Sequence, residues 1–262
     1  MVPDQSEQAF LKRYDSERFK KPAVMVDISI FTIKDDALHV LLVRRGEHPF
    51  KGMWSLPGGA VHVDLGGKYS FDETLEDAAK RELLEETGVK ARYLEQVKTY
   101  GNATRDPRQW TVSVSYFALM DSNKLNIQHG SDAAEAKWHV VHDNAVKAKL
   151  GFDHKEILRD AIQRLRSKVE YTAIAACLLP AEFTLPQLQR VYEILLQEEV
   201  PTKSFRRRIE DTDIIVPIEG QYDESDARKK GRKALLYRYQ PKKDQILFFP
   251  RSIVRAEAEK HG

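Results

Sequence analysis

The tightest constraint on this chain is one short run, Arg81-Glu82-Leu83-Leu84-Glu85-Glu86-Thr87-Gly88-Val89. Residues 74–87 predict a helix, because Leu75, Ala79 and Leu83 recur every fourth position on one face. On that helix Glu82, Glu85 and Glu86 stand at i, i+3 and i+4, so three carboxylates share a face. Each like-charged pair costs roughly 0.2–0.5 kcal/mol on an isolated helix. A divalent cation reverses the penalty, and all-oxygen donors suit a hard ion such as Mg²⁺, which leans on substrate phosphates. Arg81, one step off this face, can pair with Asp77 or Glu85. A solvated helix surface is the other use of three glutamates, so the surrounding pattern has to decide.

The rest of the chain divides into two parts. In the first, Val24, Val26, Ile28 and Ile30 alternate as in a strand, Asp35-Asp36 breaks the run, and residues 38–43 predict its hairpin partner. Residues 112–118 and 137–141 read as further strands. Strands interrupted by a helix, without regular alternation, predict a mixed α/β or α+β sandwich. After about residue 150 the pattern turns helical. Asp153 with Glu156 predicts a capping pair ahead of Ile157, Leu158, Ala161, Ile162 and Leu165. Thr184 with Gln187 predicts another, ahead of Leu188, Val191, Tyr192 and Leu195. Thr202 is the expected cap of a third helix that turns Phe205 and Ile209 inward. Residues 214–216 and 234–239 read as two strands around a polar loop.

Charge follows the same division. The whole chain balances 42 Lys and Arg against 40 Asp and Glu, a net +2 that predicts no partner. Residues 1–150 carry 21 basic and 22 acidic side chains, whereas residues 151–262 carry 21 and 18. Residues 228–243 alone hold eight basic residues and no acid, and residues 203–208 hold four more. Such concentration is the electrostatic footprint of a polyanion binder, with a solvated surface as the plainer reading. One cysteine, Cys177, excludes an intrachain disulfide or a cysteine zinc site. The longest strongly apolar stretch, residues 173–179, is far too short for a membrane span, and the N-terminus shows no signal pattern. A cytoplasmic protein with no membrane partner is expected.

The wider spacing Gly67-x5-Glu73-x7-Arg81-Glu82-Leu83-x-Glu85-Glu86-x-Gly88-Val89 resembles the Nudix box. With about one chance in fifteen at each fixed position, seven recur together on the order of 10⁻⁸ times per start site. Trp54-Ser55-Leu56-Pro57-Gly58-Gly59 resembles the lead-in of the same family and lies further from Glu73 than usual. Either an insertion separates the two, which we favour, or Gly67 is the box glycine. The resemblance implies a Nudix α/β/α sandwich over residues 20–150 that binds or cleaves nucleoside diphosphates linked to another group. It implies Mg²⁺ or Mn²⁺ held by Glu82, Glu85, Glu86 and the carbonyl of Gly58, with the glutamates also the catalytic residues. Arg44, Arg45 and Arg105 are the expected phosphate partners, and Trp54 either stacks on a base or belongs to the core.

Three helices with a short turn before the third, then two strands and a basic loop, follow the order of a winged helix-turn-helix. Lys203, Ser204, Arg206 and Arg207 would face the major groove. Arg228, Lys229, Lys230, Arg232 and Lys233 would form a wing on phosphates or the minor groove. With residues 104–114, 152–154 and 183–189, the whole is similar to the Nudix-related transcriptional regulators of NAD metabolism. That resemblance implies a winged helix-turn-helix unit with its linker helix over residues 151–243, and an unassigned tail over 244–262. It further implies a homodimer on a palindromic double-stranded DNA operator, with ADP-ribose or a related NAD metabolite as effector. A magnesium-dependent ADP-ribose pyrophosphatase with an accessory winged helix is the alternative, and intact glutamates leave room for hydrolysis in either.

Overall fold

The computed structural model describes residues 5–15, 18, 20–63, 72, 74–88, 90–121, 133–210, 214–223 and 233–241. After an exposed helix α1 (Gln5–Arg13), the chain builds a mixed sheet around β1 (Ala23–Lys34). β1 turns into β2 (Ala37–Arg45) through Asp35 and Asp36, both at positive φ, as a tight hairpin turn requires. β3 (Trp54–Ser55) extends the β2 edge, and β4 (Gly58–Ala60) pairs antiparallel with β1. β5 (Tyr93–Asn102) pairs with β6 (Thr111–Leu119), which lies parallel to β1, and β7 (Ala133–Val140) pairs with β2.

Alternation along β1 sets the two faces of the sandwich. Val26, Ile28 and Ile30 face α2 (Leu75–Thr87), where they bury against Ala78, Ala79 and Leu83. Thr74 caps α2 by accepting from the Asp77 amide, and Gly88 ends it in the left-handed conformation. On the other face Phe31, Val40, Leu42 and Phe117 meet α3 (His154–Val169) through Ile157, Leu158, Ala161 and Leu165. The expected cap of α3 is not made: Asp153 gives no side-chain bond to the first turn, because Arg105 holds its carboxylate.

The second core is continuous with the first. Past α3, a short 3₁₀ turn (Ile174–Leu178) leads to β8 (Glu182–Thr184), α4 (Leu185–Leu196), α5 (Thr202–Glu210), β9 (Ile215–Tyr222) and β10 (Leu235–Tyr239). Thr184 and Gln187 form a full capping box on α4, as their spacing predicts. α5 begins at Thr202 itself, whose hydroxyl accepts from Gln189, so Thr202 is not the separate cap expected. Leu188, Val191, Tyr192, Phe205 and Ile209 belong to the same buried cluster as Phe31 and Ile157. β10 lies between β8 and β9, so the sheet has three strands where the pattern announced two. β8, only three residues long, offers too little alternation to be read. β5 was also unread, since it is an edge strand with a bulge and mostly half-exposed polar residues. Arg228, Lys229, Lys230, Arg232, Glu73, Gly67 and residues 244–262 lie outside the described residues. Among the described residues, no helix is long and apolar enough to cross a membrane.

Candidate functional site: a diphosphate-sized cleft and a basic helix

A cleft of about 300 Å³ opens where β1, the end of β2, the Gly58-Gly59 turn and the N-terminal end of α3 meet. Pairing of β4 with β1 sets Gly58 opposite Asp27 and Gly59 opposite Val26. Gly58 faces backbone and requires glycine, whereas a side chain at Gly59 would displace the Glu82 carboxylate. A Cβ on Gly58, whose φ is +153°, would sit 2.1 Å from the Val26 carbonyl oxygen, and one on Gly59 would sit 2.2 Å from Glu82 Oε1.

The three box glutamates share a helix face as predicted, yet each has a different environment. Glu82 is buried and takes Arg81 Nη1 at 2.7 Å. Burial raises its pKa, and Arg81 acts against that rise. Glu85 is half-exposed at 3.4 Å from Arg81, and Glu86 lines the cleft. Arg81 grips Asp72 through Nε and Nη2, at 3.0 and 2.9 Å, and the Ala60 carbonyl at 3.0 Å. The Arg81 hydrogen bonds hold the Asp72 carboxyl below its ordinary pKa. Asp72, and not the expected Asp77, is thus the main partner of Arg81. Among the described residues, no three His, Cys, Asp or Glu side chains converge as a metal cage. Glu82 instead pairs with Arg81, and Glu85 faces solvent 3.4 Å from the same guanidinium. Glu86 and Gly58, both at the cleft, supply hard oxygen donors that suit a cation shared with a ligand's phosphates.

Arg44, Arg45 and Arg105 all line the cleft, joined by Arg108. Arg44 donates to the Gly52 carbonyl and lies 3.6 Å from Glu135. Arg45 donates to the Pro49 carbonyl and lies over the Phe152 ring, 4.9 Å from its centre. Arg105 is buried, its Nε and Nη2 bound to Asp153 at 2.8 and 2.9 Å, with Asp27 at 3.5 Å. It lines the cleft floor, where its guanidinium is held by Asp153 and Asp27. Trp54 is not part of the cleft wall; it packs edge-on against His139 at the margin of the core, the plainer of its two readings.

Sequence reasoning missed four contributors here: Asp27, Arg108, Phe152 and His154. Asp27 accepts a hydrogen bond from Ser113 on the floor, and its signal was a lone carboxylate within an apolar strand. His154 accepts the Leu56 amide on Nδ1 at 2.9 Å, leaving Nε2 facing Asp27 at 3.5 Å. Burial, its largest influence, lowers the imidazole pKa and keeps it neutral. The 152–154 run carries Phe152 and His154, but no role could be read from it alone.

On α5, Phe205 packs edge-on against Tyr192 and Ile209 is fully buried, which turns Lys203, Arg206 and Arg207 to solvent. Ser204 is half-buried and donates to the Pro201 carbonyl, closing the first turn. Lys233, the one described member of the basic loop, is exposed beside β10. A helix with one apolar flank and one cationic flank, backed by a small sheet, is a surface built for a polyanion.

The fold and cleft define a class: a Nudix sandwich joined to a winged helix. Residues 24–161 match the NUDIX domain, and residues 175–239 match the NrtR DNA-binding winged helix domain. The ADPR responsive transcriptional repressor NtrR of Acinetobacter baylyi is 40% identical over 250 residues, 95% of this chain and 94% of its own length. Shewanella oneidensis NrtR, solved with a 27mer DNA, superposes with a TM-score of 0.75 at 38% identity, over 87% of this chain and 98% of that one. Its NUDIX domain complexed with ADP ribose gives 0.53 at 40% identity, over 61% and 98% of the two chains. This chain belongs to the Nudix family, in its NrtR-type branch. Nudix hydrolases among its relatives generally use divalent metals.

Proposed function

We propose that the chain is a DNA-binding repressor whose Nudix half binds ADP-ribose and whose winged helix binds a palindromic operator as a homodimer. One observation carries the reading: a cleft lined by four arginines and an outward cationic helix α5 are built on a single continuous core. Arg44, Arg45 and Arg108 supply the cleft cations for a diphosphate, beside the Gly58-Gly59 turn. Glu86 and the Gly58 carbonyl would hold Mg²⁺ or Mn²⁺, whose charge would offset that of the phosphates. Residues 20–150 form the sensing unit in this reading and residues 151–243 the DNA-binding unit. Such a regulator works in the cytoplasm, where its DNA is.

The test is fluorescence anisotropy with DNA from the gene's own upstream region at physiological salt, with and without ADP-ribose. Sequence-specific binding that ADP-ribose weakens is expected. Binding indistinguishable from that to random DNA overturns the proposal.

Hydrolysis is a second reading, favoured by the presence of Glu86 in the cleft. It predicts metal-dependent conversion of ADP-ribose and water to AMP and ribose 5-phosphate, abolished in Glu86→Gln. Absence of product in a single-turnover assay removes it.

A further inference from the structure

The floor of the cleft is also the N-terminal end of α3, and several contacts pin that end. Trp54 donates its amide to the Lys149 carbonyl at 3.1 Å, and Gly151 donates to the Trp54 carbonyl at 2.9 Å. The Leu56 amide, one residue before the Pro57-Gly58-Gly59 turn, donates to His154. Phe152 turns the chain at a φ of +51°, a conformation bulky residues rarely take. Its ring packs edge-on against Phe50, 4.7 Å between centres, and beneath the Arg45 guanidinium. Arg105 closes the set on Asp153.

Asp153 is the exception among these contacts. It occupies the N-cap of α3, where a carboxylate ordinarily accepts amides of the first turn, and it accepts none. Both of its oxygens face Arg105 instead. Two sets of donors therefore compete for one carboxylate. Arg105 faces a parallel choice, because a guanidinium fork fits phosphate as well as carboxylate and this one lines the cleft. Asp27, 3.5 Å from Nη2, gives Arg105 an anchor about which to turn.

We propose that Arg105 and Asp153 form a latch that transmits cleft occupancy to the DNA-binding half. This rests on the function proposed above. A diphosphate in the cleft draws Arg105 away from Asp153, and Asp153 swings onto the Lys155 amide at the start of α3, the His154 and Glu156 amides already donating to the Gly151 and Asp153 carbonyls. The helix then settles in a second position. Ile157, Leu158, Ile162 and Leu165 of α3 share one close-packed cluster with Leu188 and Tyr192 of α4 and with Phe205 and Ile209 of α5. Close-packed helices shift as units, so a change at the start of α3 reaches the helix that faces DNA. Asp153 is hydrogen-bonded in both positions, which gives the two discrete arrangements that coupling needs. The ligand biases them because it competes for Arg105 in only one.

Asp153 is in this sense a positioning residue, and its contribution is separable from ligand binding. Asp153→Asn and Asp153→Ser keep good helix caps and remove the charge that holds Arg105; Ser is also too short to reach it. With the full chain, operator affinity is measured with and without saturating ADP-ribose, ligand affinity by calorimetry, and folding by thermal melting. In the unaltered protein the ligand raises the operator Kd by about 5–150-fold, the usual range for coupled sites. Both variants are expected to melt cooperatively and to bind ADP-ribose at least as tightly. Their operator Kd should change by less than about twofold on ligand addition. A full response in either folded variant, weaker ADP-ribose binding, or failure of both variants to fold overturns the latch and leaves the proposed function standing. No response in the unaltered protein overturns both.

Discussion

Arg105 and Arg206 carry the same charge in opposite settings. Arg105 has a side chain 5% exposed, with two carboxylates around it. Arg206 lies open on α5, and among the described residues it, Lys203 and Arg207 make no ion pair. A cation of the first kind is part of the architecture, and removing it strands buried anions. One of the second kind contributes little to folding and is available to an incoming polyanion. The Nudix half thus keeps its charges internally balanced, while the winged half leaves its own for DNA.

Substitution should separate the two most sharply at these arginines. Arg105→Ala leaves Asp27 and Asp153 without their cation and is expected to cost about 3–5 kcal/mol in urea unfolding. Arg206→Ala should stay within about 0.5 kcal/mol in the same experiment. The order reverses on DNA. Arg206→Ala with Arg207→Ala should weaken operator binding by about 1–3 kcal/mol for each base no longer read. Where an arginine meets a phosphate instead, its removal should lower the salt slope by about one. ADP-ribose affinity should not move. Equal stability losses for Arg105→Ala and Arg206→Ala would erase the contrast.

Glycines offer a second, smaller comparison. Gly58→Ala drives a Cβ into the Val26 backbone and is expected to cost about 3 kcal/mol, with loss of ligand binding. Gly220 on β9, at φ +73°, has nothing within 4 Å of a new Cβ, so Gly220→Ala meets only the backbone penalty of about 1–2 kcal/mol. Thermal melting of the pair decides the order.

The smallest effect is on pH. Asp72 and Asp106, both in the Nudix half, have pKa values lowered chiefly by hydrogen bonds from Arg81 and Arg108. The unfolded chain then binds protons first as pH falls, so their contribution is present above the ordinary aspartate value of about 3.9 and lost below it. Asp72→Asn should flatten the loss of stability between neutral pH and about pH 3, measured by urea titration. An unchanged slope would mean that Arg81 holds Asp72 no more tightly than water does.

Much of this molecule was legible because its signals are local. The alternation of Val26, Ile28 and Ile30, the Thr74 start of α2 and the Thr184–Gln187 box each depend on neighbours within a few residues. So does the outward display of Lys203, Arg206 and Arg207, which follows from the four-residue step between Phe205 and Ile209. The cleft was legible only in part. The Gly58-Gly59 turn, Arg44 and Arg45 were found, whereas the fates of Arg105 and Glu82 were not. Asp153, the partner of Arg105, lies 48 residues further on, and although Glu82 pairs with its neighbour Arg81, its burial beside the distant Gly59 is a contact that no spacing rule spans.

The sequence by itself determined the elements, the two kinds of charge and the family. Periodicity, capping and composition act over one or two turns of chain, where the physics is short-ranged. Tertiary structure alone decided that α3 belongs to both cores, that Asp153 serves Arg105 and not its own helix, and that the box glutamates divide among an arginine, solvent and a cleft. Those outcomes are competitions between distant groups for the same partner, and only the packed chain brings the competitors within reach.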